Sequence, residues 1–236
     1  GPYPMRSISM RMTRRERQRK KPSSGNNSST NNPGIPSRPR QSGNAVGWIL
    51  DGNRWYYRYP DGTYLKNGWG FIENIWYLFD ANGMMLTGWQ MKNGVYYYMN
   101  GDGKMQTGWV LMPSKSDVTD SNAASPKITD YQYYGAAGDG KRAEGFRSIE
   151  GISGIHAADE VYTFYFKAGK PYVSDKKGNS LFTINAKKYA FSDLGIMQTG
   201  RQIANVANDE IANFYFGEDG IVLKKGKKNF KKICVK

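Results

Sequence analysis

Residues 68–89 read GWGFIENIWYLFDANGMMLTGW, and this stretch decides the fold. One Gly-Trp pair opens it and another closes it. Between them lie the aromatic run Trp76-Tyr77-Leu78-Phe79 and a turn at Asn82-Gly83. The same order recurs on both sides. Gly-Trp pairs stand at Gly47-Trp48, Gly68-Trp69, Gly88-Trp89 and Gly108-Trp109, at spacings of 21, 20 and 20 residues. Seven residues after each of the first three tryptophans comes an aromatic cluster: Trp55-Tyr56-Tyr57, Trp76 to Phe79, and Tyr96-Tyr97-Tyr98. Seven residues later still comes a glycine: Gly62, Gly83 and Gly103. A fixed period near twenty is the mark of a stacked repeat architecture.

Each unit reads as a β-hairpin. The tryptophan opens one strand, a turn such as Asp51-Gly52-Asn53 or Lys92-Asn93-Gly94 follows, and the aromatic cluster forms the second strand. Gly and Asn tolerate the positive φ such turns demand. Asp61-Gly62, Asn82-Gly83 and Asp102-Gly103 then lead into the next unit. A lone hairpin is marginal in water, so the units must stack. The expected fold is all-β: a solenoid of stacked hairpin repeats of about 20 residues.

The pattern weakens beyond residue 109. All six tryptophans lie between residues 48 and 109. Tyr133-Tyr134, Tyr162 to Phe166, Lys188 to Phe191 and Asn213 to Phe216 keep the aromatic strand, and Gly195-Ile196-Met197-Gln198-Thr199-Gly200 still matches Gly103 to Gly108. Phe146 and Arg201 stand where tryptophan would. The expected organisation is a disordered basic arm and linker (1–42), Trp-rich repeats (43–112), a polar insertion (113–130), degenerate repeats (131–226) and a basic tail (227–236).

Composition narrows the chemistry. The 236 residues include one cysteine, Cys234, and one histidine, His156. That excludes an internal disulfide framework and a thiolate cluster, and speaks against a histidine metal site or a Ser-His-Asp hydrolase. The formal charge of +14 resides in the ends. Residues 1–42 hold ten Lys/Arg and one acid, residues 224–236 hold seven Lys and no acid, and the body between holds 17 basic and 19 acidic side chains. The basic run Arg14 to Lys21 lacks interleaved aromatics for base stacking, so nucleic acid is not the expected partner. No apolar run is long enough for a transmembrane segment.

Strand alternation divides each cluster into two faces. Tyr56, Tyr77, Phe79 and Tyr97 continue into Tyr134, Tyr189, Phe191, Phe214 and Phe216, and this persistent face is the expected core. The face bearing Trp55 with Tyr57, Trp76 with Leu78, and Tyr96 with Tyr98 varies along the chain. It is the candidate for ligand contact, together with the tryptophan of each Gly-Trp pair.

The pattern Gly-Trp, Trp-Tyr-Tyr, Gly-x-Met-x-Thr-Gly-Trp covers about residues 47–112 and extends in degenerate form to about 226. It resembles the cell-wall-binding repeats of choline-binding proteins, and the related glucan-binding repeats of glucansucrases and repeats of clostridial toxins. The resemblance implies cages built from aromatic side chains of consecutive hairpins, often with a methionine. Carried onto this sequence, the cage positions are Trp48, Trp55, Trp69, Trp76, Trp89, Tyr96 and Trp109, with Met85 and Met105. Tyr64 stands at the methionine position of the first unit.

The function so implied is non-catalytic binding, without a cofactor, to choline-bearing teichoic acid or a similar wall polymer of a Gram-positive surface. The implied location is secreted or attached to the cell wall, although the first twenty residues carry no apolar signal-peptide core. Each ring face offers a quaternary ammonium about 0.5–2 kcal/mol of cation–π attraction. Flat rings also stack on sugars, so a glucan- or host-glycan-binding adhesin, with host glycans or proteins as partners, is an alternative. A third reading is the targeting half of a wall amidase or muramidase whose catalytic domain lies outside this chain. In a fourth, every tryptophan is hairpin core and the solenoid is a spacer. His156 reads as a surface histidine in a loop, and Asp61, Asp80, Asp102, Asp139, Asp193 and Asp219 as turn residues.

Overall fold

Trp48 stands opposite Tyr57, and Leu50 opposite Trp55, where β1 (Gly47–Asp51) returns through β2 (Arg54–Arg58). This ladder sets the pattern for a computed structural model that describes residues 45–113, 125–207 and 210–225. The arm of residues 1–42, the tail of 227–236 with Cys234, and residues 114–124 of the insertion lie outside the described residues. The fold is all-β and built from antiparallel hairpins, as the repeat period demands. It divides into two compact units. Among the described residues, the first comprises 45–92 together with Tyr98–Met105, and the second comprises Asn93–Tyr97 and the described residues between 106 and 225.

In the first unit, β3 (Gly68–Ile72) pairs with β4 (Ile75–Phe79), placing Trp69 opposite Leu78 and Phe71 opposite Trp76. The two-residue turn is Glu73-Asn74, both left-handed, with φ of 50° and 63°. Positive φ at both turn positions matches the right-handed twist of the strands it joins. The strand β5 (Gly88–Lys92) lies in the first unit, and β6 (Val95–Met99) begins in the second, after a turn at Asn93-Gly94 with both residues at positive φ. Tyr57, Leu65, Ile72, Tyr77 and Phe79 form the core, with Trp48, Ile75 and Met85 packed against it.

A return segment after each hairpin joins the repeats. The Leu86 N–H donates to the Leu78 carbonyl of its own hairpin at 2.8 Å, while the Met85 N–H donates to Trp55 of the preceding hairpin at 2.8 Å. One repeat later the Met105 N–H donates to the Trp76 carbonyl at 2.9 Å. The turn leading into each return is closed by a side chain: Asp80 Oδ1 accepts from the N–H groups of Asn82 and Met84. Asn100, rather than Asp102, does the same work in the next repeat. Gly103 ends that turn at φ +76°, and a Cβ there would overlap the Met85 thioether.

In the second unit, β7 (Trp109–Leu111) pairs with β8 (Tyr131–Tyr133), with Trp109 opposite Tyr133 and Leu111 opposite Tyr131. The polar stretch therefore emerges between two strands of one hairpin. Its last residues include a 3-10 turn at Ile128–Asp130. A three-stranded sheet follows, from β9 (Gly145–Glu150), β10 (Val161–Lys167) and β11 (Lys170–Pro171). A five-stranded sheet holds β12 (Asn179–Ile184), β13 (Lys187–Ser192), β14 (Gly200–Asn205), β15 (Ile211–Phe216) and β16 (Val222–Lys225), in the order β13-β12-β14-β15-β16. β12 and β14 run parallel, clipped by the Asn205 side-chain amide donating to the Asn179 carbonyl at 2.9 Å.

Most of the persistent aromatic face is core: Tyr56, Tyr77, Phe79, Tyr134, Tyr189, Phe191, Phe214 and Phe216 are buried, whereas Tyr97 is only half-buried. The other face departs from the simple two-face reading, because Tyr57 and Leu78 are buried as well. Tyr57 lies under Trp48, its ring 5.4 Å away, and packs with Leu65 and Tyr77. The leading residues Trp55 and Trp76 stay half-buried, as does Tyr98, while Tyr96 is exposed. His156 also departs from expectation. It is 8% exposed, packed against Tyr162 and Phe164, and fully bonded. Its Nδ1 accepts the Ile152 N–H at 2.9 Å, which leaves Nε2 protonated and donating to the Leu194 carbonyl at 2.8 Å.

Candidate functional site

The ladder registers give each hairpin two equivalent ring positions: the tryptophan after the glycine, and the residue leading the aromatic strand. In the first two hairpins both are tryptophan, and the geometry repeats. Trp48 and Trp55 meet with ring centroids 6.2 Å apart at 87°. Trp69 and Trp76 meet at 6.2 Å and 84°. Each pair is a right-angled corner of two half-buried indoles. Backbone bonding ties Met85 to Trp55 and Met105 to Trp76. Trp48 also belongs to the core, with Tyr77 at 4.7 Å and Phe79 at 6.0 Å. Such a corner can hold a cation by its π faces without a carboxylate.

The remaining candidate positions differ. Trp89 is 52% exposed and lies 5.3 Å from Tyr98. Tyr96 carries the Arg142 guanidinium over its ring, 4.1 Å from the centroid. Trp109 is packed among Tyr133, Phe164 and Phe166, with its indole N–H donated to the Glu150 carbonyl at 2.9 Å. The ladder places Tyr131 at the ring position that Trp55 holds in the first hairpin. The sequence reading missed Tyr131. The available signal was its place two residues before Tyr133, as Trp55 precedes Tyr57.

Further along, the same positions hold Phe146 with Thr163 and Arg201 with Asn213. The return segment nevertheless persists, since the Met197 N–H donates to the Thr163 carbonyl at 2.8 Å. The scaffold therefore outlasts the rings.

Burial lifts the Tyr77 hydroxyl to a pKa of about 12, helped by the negative charges of Glu73 and Asp102. Among the described residues, no group of three or more His, Cys, Asp or Glu could hold a metal ion, and no helix is long and apolar enough to cross a membrane.

Comparison with known proteins adds to this geometry. A family model for a choline-binding type of cell wall binding repeat matches residues 46–64, 67–85 and 87–105. No curated protein sequence matches the chain. Among solved structures, choline binding protein F from Streptococcus pneumoniae is 24% identical, with a TM-score of 0.51, over 75% of this chain and 51% of that one. In the presence of a peptidoglycan analogue the same protein gives 23% identity and a TM-score of 0.52, over 75% of this chain and 52% of that one. CbpJ from Streptococcus pneumoniae TIGR4 is 21% identical, with a TM-score of 0.51, over 75% and 52%. The chain thus spans about half the length of these structures and shares their fold. The three matched segments, residues 46–64, 67–85 and 87–105, each take in one hairpin and its return segment, so the cell wall binding repeat coincides with the structural repeat from β1 to β6.

Proposed function

We propose that this chain is a non-catalytic module that attaches to a cell-wall polymer by gripping its quaternary ammonium groups, such as the choline of a teichoic acid. The observation that carries the reading is the repeated indole corner, with Trp48/Trp55 and Trp69/Trp76 set at the same 6.2 Å and near 90°. Two ring faces and the nearby methionine segment give a small cage. A few cation–π contacts of about 1–2 kcal/mol each support affinity on the order of millimolar. Weak cages suit a polymer, because repeated ligand units along one chain engage several sites at once. The reading places the protein at the wall, outside the cell.

Two measurements test it. Titration with choline chloride is expected to change tryptophan fluorescence in a saturable way. The full chain is also expected to bind a choline-type resin and to elute with free choline. The body between the basic ends is slightly acidic, so elution by free choline is compared with elution by sodium chloride at the same ionic strength, which separates ring binding from ion exchange. Fluorescence that responds to glucan oligosaccharides and not to choline would replace this reading with the glucan-binding one.

A further inference from the structure

Arg142 occupies the return-segment position that Met85 and Met105 occupy in the earlier repeats. Its N–H donates to the Tyr96 carbonyl at 2.9 Å, as Met85 donates to Trp55 and Met105 to Trp76. Its side chain begins on the same course. The Met85 thioether lies on Gly103, and the Arg142 stem lies on Gly169, where a Cβ would stand 2.9 Å from Cγ. Arginine is longer, and its guanidinium continues onto the Tyr96 ring, at 4.1 Å from the centroid. Glu144 steadies it. The Glu144 carboxylate lies 3.7 Å from Arg142 Nη2 and accepts the Ala168 N–H at 2.9 Å.

We propose that Arg142 is an internal cation that closes the third ring position to external ammonium, so that the chain takes choline at two corners and not three. The inference rests on the reading of the tryptophan corners as ammonium sites. A ring face attracts a cation through its quadrupole, and a guanidinium satisfies it as a trimethylammonium would. The guanidinium is tethered, which gives it an effective concentration on the order of millimolar or higher at that ring. Free choline of millimolar affinity does not displace a tethered cation that is also held by a carboxylate. Arg142 therefore sets how many ligands the repeats hold, a property the repeat motif alone misstates.

Choline stoichiometry of the full chain decides the matter, read by equilibrium dialysis or calorimetry. The wild type is expected to bind two equivalents. Arg142→Met, which restores the residue type of the earlier repeats, is expected to bind three. Tyr96→Ala in the wild-type background is expected to leave the count at two, and this variant keeps the test open should Arg142→Met fold poorly. Three equivalents in the wild type, or a loss of one on Tyr96→Ala, would overturn the inference and leave the ammonium reading standing. An unchanged count of two in a folded Arg142→Met protein would also overturn it. A wild type that binds no choline would overturn both.

Discussion

The Met197 N–H donates to the Thr163 carbonyl at 2.8 Å, repeating in the second unit the bond that Met85 makes to Trp55 in the first. Backbone pairing between repeats is therefore independent of whether a ring stands at the accepting residue. Phe146, the companion position, packs on Tyr165 at 4.8 Å and Tyr189 at 5.1 Å, much as Trp48 packs on Tyr57 and Tyr77. The double substitution Phe146→Trp with Thr163→Trp is thus expected to build a third indole corner above Met197. Calorimetry should then find one more choline equivalent than in the wild type. A well-folded double variant with an unchanged count would show that the corner needs more than its rings and return segment.

Trp76 and Phe79 lie three residues apart on one strand and should fail in different ways. Trp76 is half-buried at a corner, whereas Phe79 is 2% exposed in the core. Truncating a fully buried phenylalanine costs about 3–5 kcal/mol. Phe79→Ala is expected to lower the denaturant midpoint sharply, while Trp76→Ala is expected to remove one choline equivalent at a smaller cost in stability. Melts and titrations on both variants check the order of the two effects.

His156 makes a prediction that surface reasoning would not. His156→Ala leaves the Ile152 N–H and the Leu194 carbonyl without their partner, and opens space beside Tyr162 and Phe164. Each unpaired buried group costs about 1–3 kcal/mol. The second unit is expected to melt earlier, with choline binding at Trp48/Trp55 and Trp69/Trp76 unchanged. A variant as stable as the wild type would contradict the buried assignment.

The sequence period was enough to read the hairpins, because glycine turns and aromatic strands recur by local chemistry. It failed where contacts are not local. β12 starts at Asn179-Ser180 without a Gly-Trp pair, so nothing in the period announced it. Tyr131 was hidden because the polar stretch between β7 and β8 breaks the spacing. Arg142 looks like one more basic residue until the fold lays it across Tyr96. His156 sits among polar loop residues in the sequence, and its burial comes from rings on β10 and a carbonyl at Leu194. The positions of Trp48, Trp55, Trp69 and Trp76 were readable because each corner is made within a single hairpin.

The turn between β12 and β13 carries strain that a substitution can relieve. Asn185 and Ala186 sit at φ of 48° and 62°. The left-handed region costs a residue with a Cβ roughly 1–2 kcal/mol, a penalty glycine escapes while losing some chain entropy on folding. Ala186→Gly is expected to raise stability by about 0.5–1 kcal/mol, seen as a higher melting temperature. A lower melting temperature would show that the alanine methyl group makes contacts worth more than the strain.

Tyr77 gives the fold a weakness at high pH. Its hydroxyl is neutral in the folded protein up to about 12, because burial and the charges of Glu73 and Asp102 oppose ionisation. In the unfolded chain a tyrosine ionises near 10. A group whose folded pKa is raised stabilises the fold fully below the unfolded value, since the unfolded chain then gains nothing by releasing the proton. Between pH 10 and 12 the unfolded state ionises and the folded state does not, so this contribution declines across that window. Denaturant midpoints measured from pH 8 to 12 are expected to fall for the wild type and to fall less for Tyr77→Phe, which has no proton to lose. Lysines and the other tyrosines titrate in both proteins, so the difference between the two curves isolates Tyr77. Parallel curves would mean that the Tyr77 hydroxyl ionises in the fold as readily as in the open chain, and that the Trp48–Tyr77 contact is looser than its 4.7 Å separation implies.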